Sequence, residues 1–435
     1  MMWLLMRKIP FHRRILPIIF IIAFLGFAPV IIFYTSGYRW NAKKGKVERY
    51  GTVIFDTTPT GARILVDNRE IPNKTPITIQ DMPPGTHRFE LTRDGYSTWA
   101  KSLDVLPEKV TFVNNIWLWK NSVPSMFYPS LAQTASHSPD NTHILFAAAS
   151  PTQTFVLDTS DKSIRTLNLN GSEIPLDNVR WSENGRYAVI GANRTAVQPW
   201  LVDSYGQRAP LALAPADYRW SGSTLVGNDQ KSIISIKGSD FSLVRTPLPQ
   251  DVRDISDLAE LRYASGTSNL VYVMLNRPDQ GLVMPPGDWI FDSFEKDLAF
   301  LKDGDRWLAL AYKKDPPEYH TVTGEELHAL TLKRQTTYLT VNGTEIWMWN
   351  GTDDPELILR HGEPIINAAW HREGYNLFFA TQKSVFALEL DIRDRRLVTR
   401  LADFDEIRSF SVSGKRLYIL ANKDGQDGLW TLDVE

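Results

Sequence analysis

An all-β body carried on one N-terminal transmembrane helix is the fold class that this 435-residue sequence predicts. Three observations point there. One uncharged apolar run lies near the N-terminus, residues 51–120 alternate short apolar strands with turn chemistry, and residues 121–435 repeat a strand-turn-strand phrase.

The run is Ile15 to Tyr34, ILPIIFIIAFLGFAPVIIFY, with no charge between Arg14 and Arg39. Twenty residues at about 1.5 Å rise make about 30 Å of helix, the thickness of a bilayer's hydrocarbon core. The exit reads YTSGYRW, without the small-residue site at which a signal peptide is cut, and the apolar run is longer than a usual signal core. Retention is therefore expected over cleavage, with a transmembrane helix at 15–38. Pro17 and Pro29 sit near its ends, where lipid-embedded helices tolerate kinks. Tyr34, Tyr38 and Trp40 form an expected interfacial belt. Residues 1–14 are then a basic N-terminus and residues 39–50 a basic spacer.

Flanking charge does not orient the span. Arg7, Lys8, Arg13 and Arg14 precede it, and Arg39, Lys43, Lys44 and Lys46 follow it. A large folded domain crosses largely regardless of charge, and a first segment usually acts as a signal anchor. The expectation is a cytoplasmic N-terminus with residues 41–435 outside.

Hydrophobic residues at 43% and aromatics at 11% support packed cores rather than a disordered stalk. The formal charge of −2 conceals an asymmetry: residues 1–49 hold nine Lys/Arg and one Glu, net +8, which leaves −10 for the remainder. An acidic body argues against a nucleic-acid partner. Cysteine is absent, which excludes disulfides, thiolate metal sites and thiol catalysis, and in an extracytoplasmic chain favours a prokaryotic envelope.

Between Gly51 and Lys120 the strands and turns read as a small antiparallel β-domain. Thr52 to Phe55 is a strand, Thr58-Pro59-Thr60-Gly61 a turn, Ala62 to Val66 a second strand and Asp67-Asn68 the next turn. Ile77 and Ile79 follow Thr75-Pro76. Pro83-Pro84-Gly85 then leads into His87-Arg-Phe89-Glu-Leu91, and Asp94-Gly95 ends that strand. Gly51-Thr-Val-Ile, Pro59-x-Gly61-Ala62, Val66-Asp67, Lys74-Thr75-Pro76, Pro84-Gly85-Thr-His87 and Arg93-Asp94-Gly95-Tyr96 together resemble the PEGA domain family. The resemblance implies a small β-sandwich of envelope proteins that accompanies other modules. The family's namesake tetrapeptide stands here as Pro59-Thr60-Gly61-Ala62. His87 reads as an ordinary half-buried strand residue, and Trp99, Trp117 and Trp119 as packing aromatics rather than a sugar platform.

From Asn121 onward the phrases recur. His137-Ser-Pro-Asp-Asn141 precedes ILFAAA, Trp181-Ser-Glu-Asn-Gly185 precedes YAVIGA, Trp220-Ser-Gly222 precedes TLVGN and Tyr263-Ala-Ser-Gly266 precedes LVYVML. Trp370-His-Arg-Glu-Gly374 precedes NLFFAT, and Phe410-Ser-Val-Ser-Gly414 precedes LYILAN. The interval of about forty residues is that of a β-propeller blade, whose four-stranded sheet must stack around an axis to bury its faces. Two weaker units between 287 and 361 bring the expectation to eight blades, with seven as the alternative if 251–300 is one irregular blade. The last unit is one strand short after Gly428-Leu-Trp-Thr-Leu-Asp433, and Phe127 to Ala132 can supply the strand that clasps the ring. The phrase W-S-x-[DN]-G before an apolar strand resembles WD40-like and TolB-type repeats, which implies a rigid disc for protein or ligand contact.

No catalytic, metal or cofactor constellation is expected. The eight histidines are scattered, and no H-E-x-x-H, G-x-S-x-G or G-x-x-x-x-G-K-[ST] is present. Asp303 with Asp305, Asp353 with Asp354, and Asp403 with Asp405 and Glu406 are acidic pairs of the kind a glycosidase needs. They sit in strand-connecting segments where Asp and Gly serve turn geometry. Asn422-Lys-Asp-Gly-Gln-Asp427-Gly428 lacks the terminal bidentate Glu of a calcium loop and reads as a hairpin. The expected function is a single-pass envelope protein, not an enzyme, whose two modules bind or scaffold a protein or surface polymer. The alternative is a propeller hydrolase acting on cell-surface glycans or peptides.

Overall fold

A computed structural model describes residues 11–35, 37–41, 45–129, 132–149, 152–169, 176, 178–264, 267–295, 297–324, 326–332 and 335–435. Arg7, Lys8, Lys43, Lys44 and Gly266 lie outside them, as do residues 1–10 of the basic N-terminus and two residues of the Phe127–Ala132 window. The chain divides into two compact units. One comprises Met1–Lys120 and Ile392–Arg395, the other Asn121–Asp391 and Arg396–Glu435.

In the first unit the helix Phe11–Thr35 contains both Pro17 and Pro29, and Leu16–Thr35 is long and apolar enough to cross a membrane. The span expected at 15–38 ends earlier, at Thr35, because Gly37 adopts φ +79° and donates its N–H to the Tyr34 carbonyl (3.2 Å), a left-handed stop. The spacer expected at 39–50 is not a plain linker. Tyr38–Asn41 and Lys46–Arg49 pair antiparallel as a two-stranded ribbon, with Tyr38 opposite Arg49 and Trp40 opposite Val47.

The sandwich follows. One sheet orders Ile77–Met82, Gly51–Thr58 and Val110–Trp117; the other orders Arg69–Ile71, Arg63–Val66, Gly85–Thr92 and Trp99–Val105. Period-2 burial along Gly51–Thr58 and Trp99–Val105 places Val53, Phe55, Trp99 and Leu103 in the interior with Ile64, Phe89 and Leu91. The Phe55 and Phe89 rings meet at 5.0 Å. The sandwich is not wholly antiparallel: Gly51–Thr58 and Val110–Trp117 pair in parallel. The chain visits the second sheet as Trp99–Val105 before returning beside its first strand, and such a crossover is what a parallel pair requires. Trp99, Trp117 and Trp119 are all buried, and the last two stack at 5.8 Å.

In the second unit, the described strands form eight four-stranded antiparallel sheets, which are numbered one to eight in chain order. Sheet one runs from Ala132–His137 to Ile164–Leu167, two from Arg180–Trp181 to Leu211–Ala212, three from Asp217–Ser221 to Leu243–Pro247 and four from Val252–Ile255 to Arg277–Val283. Five runs from Ile290–Glu295 to Glu318–Thr323, six from His328–Leu332 to Glu356–Arg360 and seven from Ile365–Trp370 to Val398–Asp403. Sheet eight joins Glu406–Ser413, Arg416–Lys423 and Gln426–Asp433 to Ser125–Pro129, which pairs with the last of these. The closing strand therefore starts two residues before the Phe127–Ala132 window. Ile144, Phe146 and Leu157 of sheet one pack on Tyr418, Leu420 and Leu429 of sheet eight. First and last sheets thus share one core, and the connectivity is that of a β-propeller.

Middle strands are buried on both faces, which is why they read as unbroken apolar runs: Tyr187–Ile190 and Asn376–Thr381 are buried at every residue. The repeat phrase has a local cause. Trp181 donates its indole N–H to Ser136 Oγ (3.0 Å), Trp220 to the Arg180 carbonyl (3.0 Å) and Trp370 to the His328 carbonyl (2.8 Å), each on the preceding sheet. The Ser182 hydroxyl accepts the Tyr187 N–H (2.9 Å) and donates to Asn184 (2.9 Å), tying the turn. Gly185 lies at φ +65°, and a Cβ there would stand 2.4 Å from Asp140 Oδ1, so the position requires glycine. Tyr263-Ala-Ser-Gly266 departs from this scheme, because Ala259–Tyr263 is the second strand of its sheet, not the first.

Candidate functional site

Between sheets five and six opens a cleft of about 510 Å³. Sheet five contributes Glu295, Asp297, Leu298, Ala311, Lys313 and Lys314; sheet six contributes Gln335, Thr336, Tyr338, Asn350 and Thr352. Phe300 packs behind, 4.7 Å from the Tyr338 ring. The turn after Trp349 forms one wall: Asn350 Oδ1 accepts the Thr352 and Asp353 N–H groups (both 2.9 Å). Gly351 sits so close to Leu298 that a Cβ would come within 2.7 Å of its Cδ1.

The polar groups of the cleft are already matched. Tyr338 Oη donates to Glu295 Oε2 (2.6 Å), and Lys313 Nζ pairs with Asp297 Oδ1 (2.5 Å). Burial pushes the Tyr338 phenol up, and Glu295 adds to the effect, so it stays a donor. Lys313 is held above its ordinary range by its bond to Asp297. Both carboxylates thus accept a hydrogen bond, with amides and hydroxyls beside them and Leu298 and Ala311 as an apolar floor. This suits recognition of an extended polar chain; no activated nucleophile stands beside a base.

A buried network ties the inner strands of sheets three to five. Asp254, fully buried, accepts from Arg219 Nη1 (3.0 Å), Asn228 Nδ2 (2.9 Å) and the N–H groups of Ile255 (2.9 Å) and Phe291 (3.0 Å). Arg253 grips Asp288 with Nε and Nη2 (2.7 and 3.0 Å), which holds that carboxyl below its usual range. Arg194 pairs with Asp217 (2.6 Å) and Arg180 with Asp292 (2.7 Å).

The acidic pairs singled out in the sequence occupy separate turns with local partners. Asp303 pairs with Arg306. The Asp353 carboxylate accepts from Asn350 (2.6 Å), and Asp354 meets His320 (3.1 Å). Asp403 accepts from Ser384 (2.8 Å), Asp405 from the Gly425 N–H (3.2 Å), and Glu406 pairs with Arg408 (3.1 Å). His87 bridges Asp67 and the Pro83 carbonyl, both at 2.8 Å, so it has the partners that its strand position alone did not announce. Among the described residues no group of three His, Asp or Glu side chains is placed to hold a metal ion.

His137 and His328 stack at 6.1 Å on the first strands of sheets one and six. Burial, then the His328 charge, pushes the His137 pKa from 6.5 to about 4, with Glu326 opposing. Burial also lowers His143 and His371. The unfolded imidazole binds protons more readily than the folded one. The His137 contribution to stability is therefore complete above pH 6.5 and is lost as pH falls through about 4. Denaturant unfolding of the full chain in detergent is expected to show a midpoint that declines over this window, and His137→Gln to make the decline shallower.

Fold and site together define a β-propeller with an N-terminal β-sandwich and a helix of membrane length. Residues 50–116 match the PEGA domain family. Similar solved structures are the WD40 repeats of RRP9, at 11% identity over 72% of this chain and 100% of that chain (TM-score 0.41), and the β-propeller domain of Cps50 (Swd1) from Myceliophteria thermophila, at 11% over 72% and 99% (0.39). The Dos1 propeller is similar at 13% identity over 72% and 95% (0.41). No curated protein matches the chain.

Proposed function

We propose that this chain is a single-pass envelope protein, N-terminus in the cytoplasm and residues 41–435 outside, that binds or scaffolds rather than catalyses. The helix tethers it, the sandwich (residues 51–120) is the neck and the propeller (residues 121–435) the head. Its partner is a protein or surface polymer, not a nucleic acid. The observation that carries this reading is the cleft between sheets five and six. It offers hydrogen-bonding groups and a small apolar floor, while the acidic residues that a hydrolase would need are spread over separate turns in bonds of their own.

A photoreactive residue at Thr336 in membrane-embedded full-length protein is expected to crosslink a discrete partner, and one at exposed Val197 is not. Lys313→Glu, which sets two carboxylates against each other in the cleft, is expected to cut that crosslinking about tenfold, a loss of the size typical for a central contact. Equal capture at both positions would overturn the reading. So would a glycan or peptide hydrolysis abolished by Asp303→Asn/Asp305→Asn or Asp353→Asn/Asp354→Asn.

A further inference from the structure

The ribbon between helix and sandwich is anchored at both ends. Towards the helix, Arg39 Nη1 donates to the Tyr34 carbonyl (2.6 Å), its guanidinium lies 3.8 Å over the Tyr34 ring, and Phe33 meets Tyr38 edge-on at 5.1 Å. Towards the sandwich, Arg39 pairs with Asp81 (3.1 Å) and Arg49 with Glu108, whose own N–H donates to the Tyr50 carbonyl (3.1 Å). Asp81 and Glu108 both adopt left-handed backbone conformations, φ +55° and +61°. Side chains other than glycine rarely take this region, and where they do the surrounding structure holds them there. Both carboxylates that grip the ribbon are thus set at strained positions. A flexible linker would need neither.

One face of the ribbon stays open. Trp40 stands directly opposite Val47, at 64% and 53% exposure. A two-stranded ribbon has no second layer to cover such a pair. Leu106 and Val110, also exposed, bracket Glu108 in the adjoining turn. Trp with its amphipathic indole is the residue that favours the headgroup level of a bilayer, and this one lies five residues past the end of a helix of membrane length. Asp81 and Glu108 balance Arg39 and Arg49, which leaves Lys43, Lys44 and Lys46 against Glu48 in the sequence, a net positive charge suited to anionic headgroups.

We propose that Tyr38–Arg49 is a membrane-surface collar: its Trp40–Val47 face lies in the headgroup layer of the bilayer that the helix crosses, and its arginines hold the sandwich close to that surface. The proposal rests on the tether reading, and the test separates the two. Because the chain has no cysteine, Val47→Cys and, as a control within the helix, Leu25→Cys each give one labelling site. Full-length protein carrying an environment-sensitive dye at either site goes into nanodiscs of phosphatidylcholine and phosphatidylglycerol. The collar requires that the dye at 47, like that at 25, loses quenching by aqueous iodide and gains quenching by a headgroup-linked nitroxide. If 25 is protected while 47 is quenched by iodide as fully as a dye at exposed Val197→Cys, the collar is wrong and the tether stands. Iodide access at both positions would remove the tether and the collar together.

Discussion

Asp254→Ala is expected to destabilise the propeller by about 3–5 kcal/mol, the cost typical of leaving a buried charge without its partner. The carboxylate has no solvent to fall back on, and it accepts four hydrogen bonds from groups on sheets three, four and five. Its loss strands Arg219, itself buried, whose remaining bond runs from Nη2 to the Ile255 carbonyl (2.6 Å). Removing both charges together is a milder change, because no uncompensated ion remains. Arg219→Met/Asp254→Leu is therefore expected to lie well above Asp254→Ala in stability. Denaturant unfolding of the four forms supplies the double-mutant cycle. Equal losses in single and double variants would mean that packing, not the ion pair, holds these strands.

Much of the architecture is legible in the sequence because its signals are local. Turn residues punctuate the sandwich, and the Trp-Ser phrase marks the first hairpin of a sheet, since its indole and hydroxyl make the bonds that such a hairpin needs. Legibility fails where the bonds differ. Sheets five and six place their Asp-Gly and Asn-Gly turns, around Gly304 and Gly343, between second and third strands, so they resemble the others only weakly. Tyr263 imitates the phrase from the wrong strand. The parallel pair in the sandwich comes from a crossover that strand periodicity does not encode.

The cleft was hidden for a different reason. Its lining gathers from segments between Glu295 and Thr352, none of which carries a motif alone. Asp254 lay in the stretch 251–300, whose irregular rhythm obscured an inner strand. The β-bulge between Val252 and Asp254 shifts the register there, and an acidic residue among apolar neighbours was the available signal. The ribbon escaped because its basic composition suggests a solvated linker, while its pairing depends on arginine contacts to Tyr34, Asp81 and Glu108.

The second large effect concerns placement, and it is all or none. Four cations on each side of the apolar run leave the direction of insertion to the folded cargo behind it. That cargo is a sandwich and a propeller without a cysteine, stable without disulfides on either side of a membrane. The measurement that tests the account most directly is labelling of Val197→Cys, an exposed position at 97%, by a membrane-impermeant maleimide on cells whose cytoplasmic membrane is intact. An outward-facing propeller predicts labelling as complete before lysis as after it. Labelling that begins only after lysis would contradict an extracytoplasmic head.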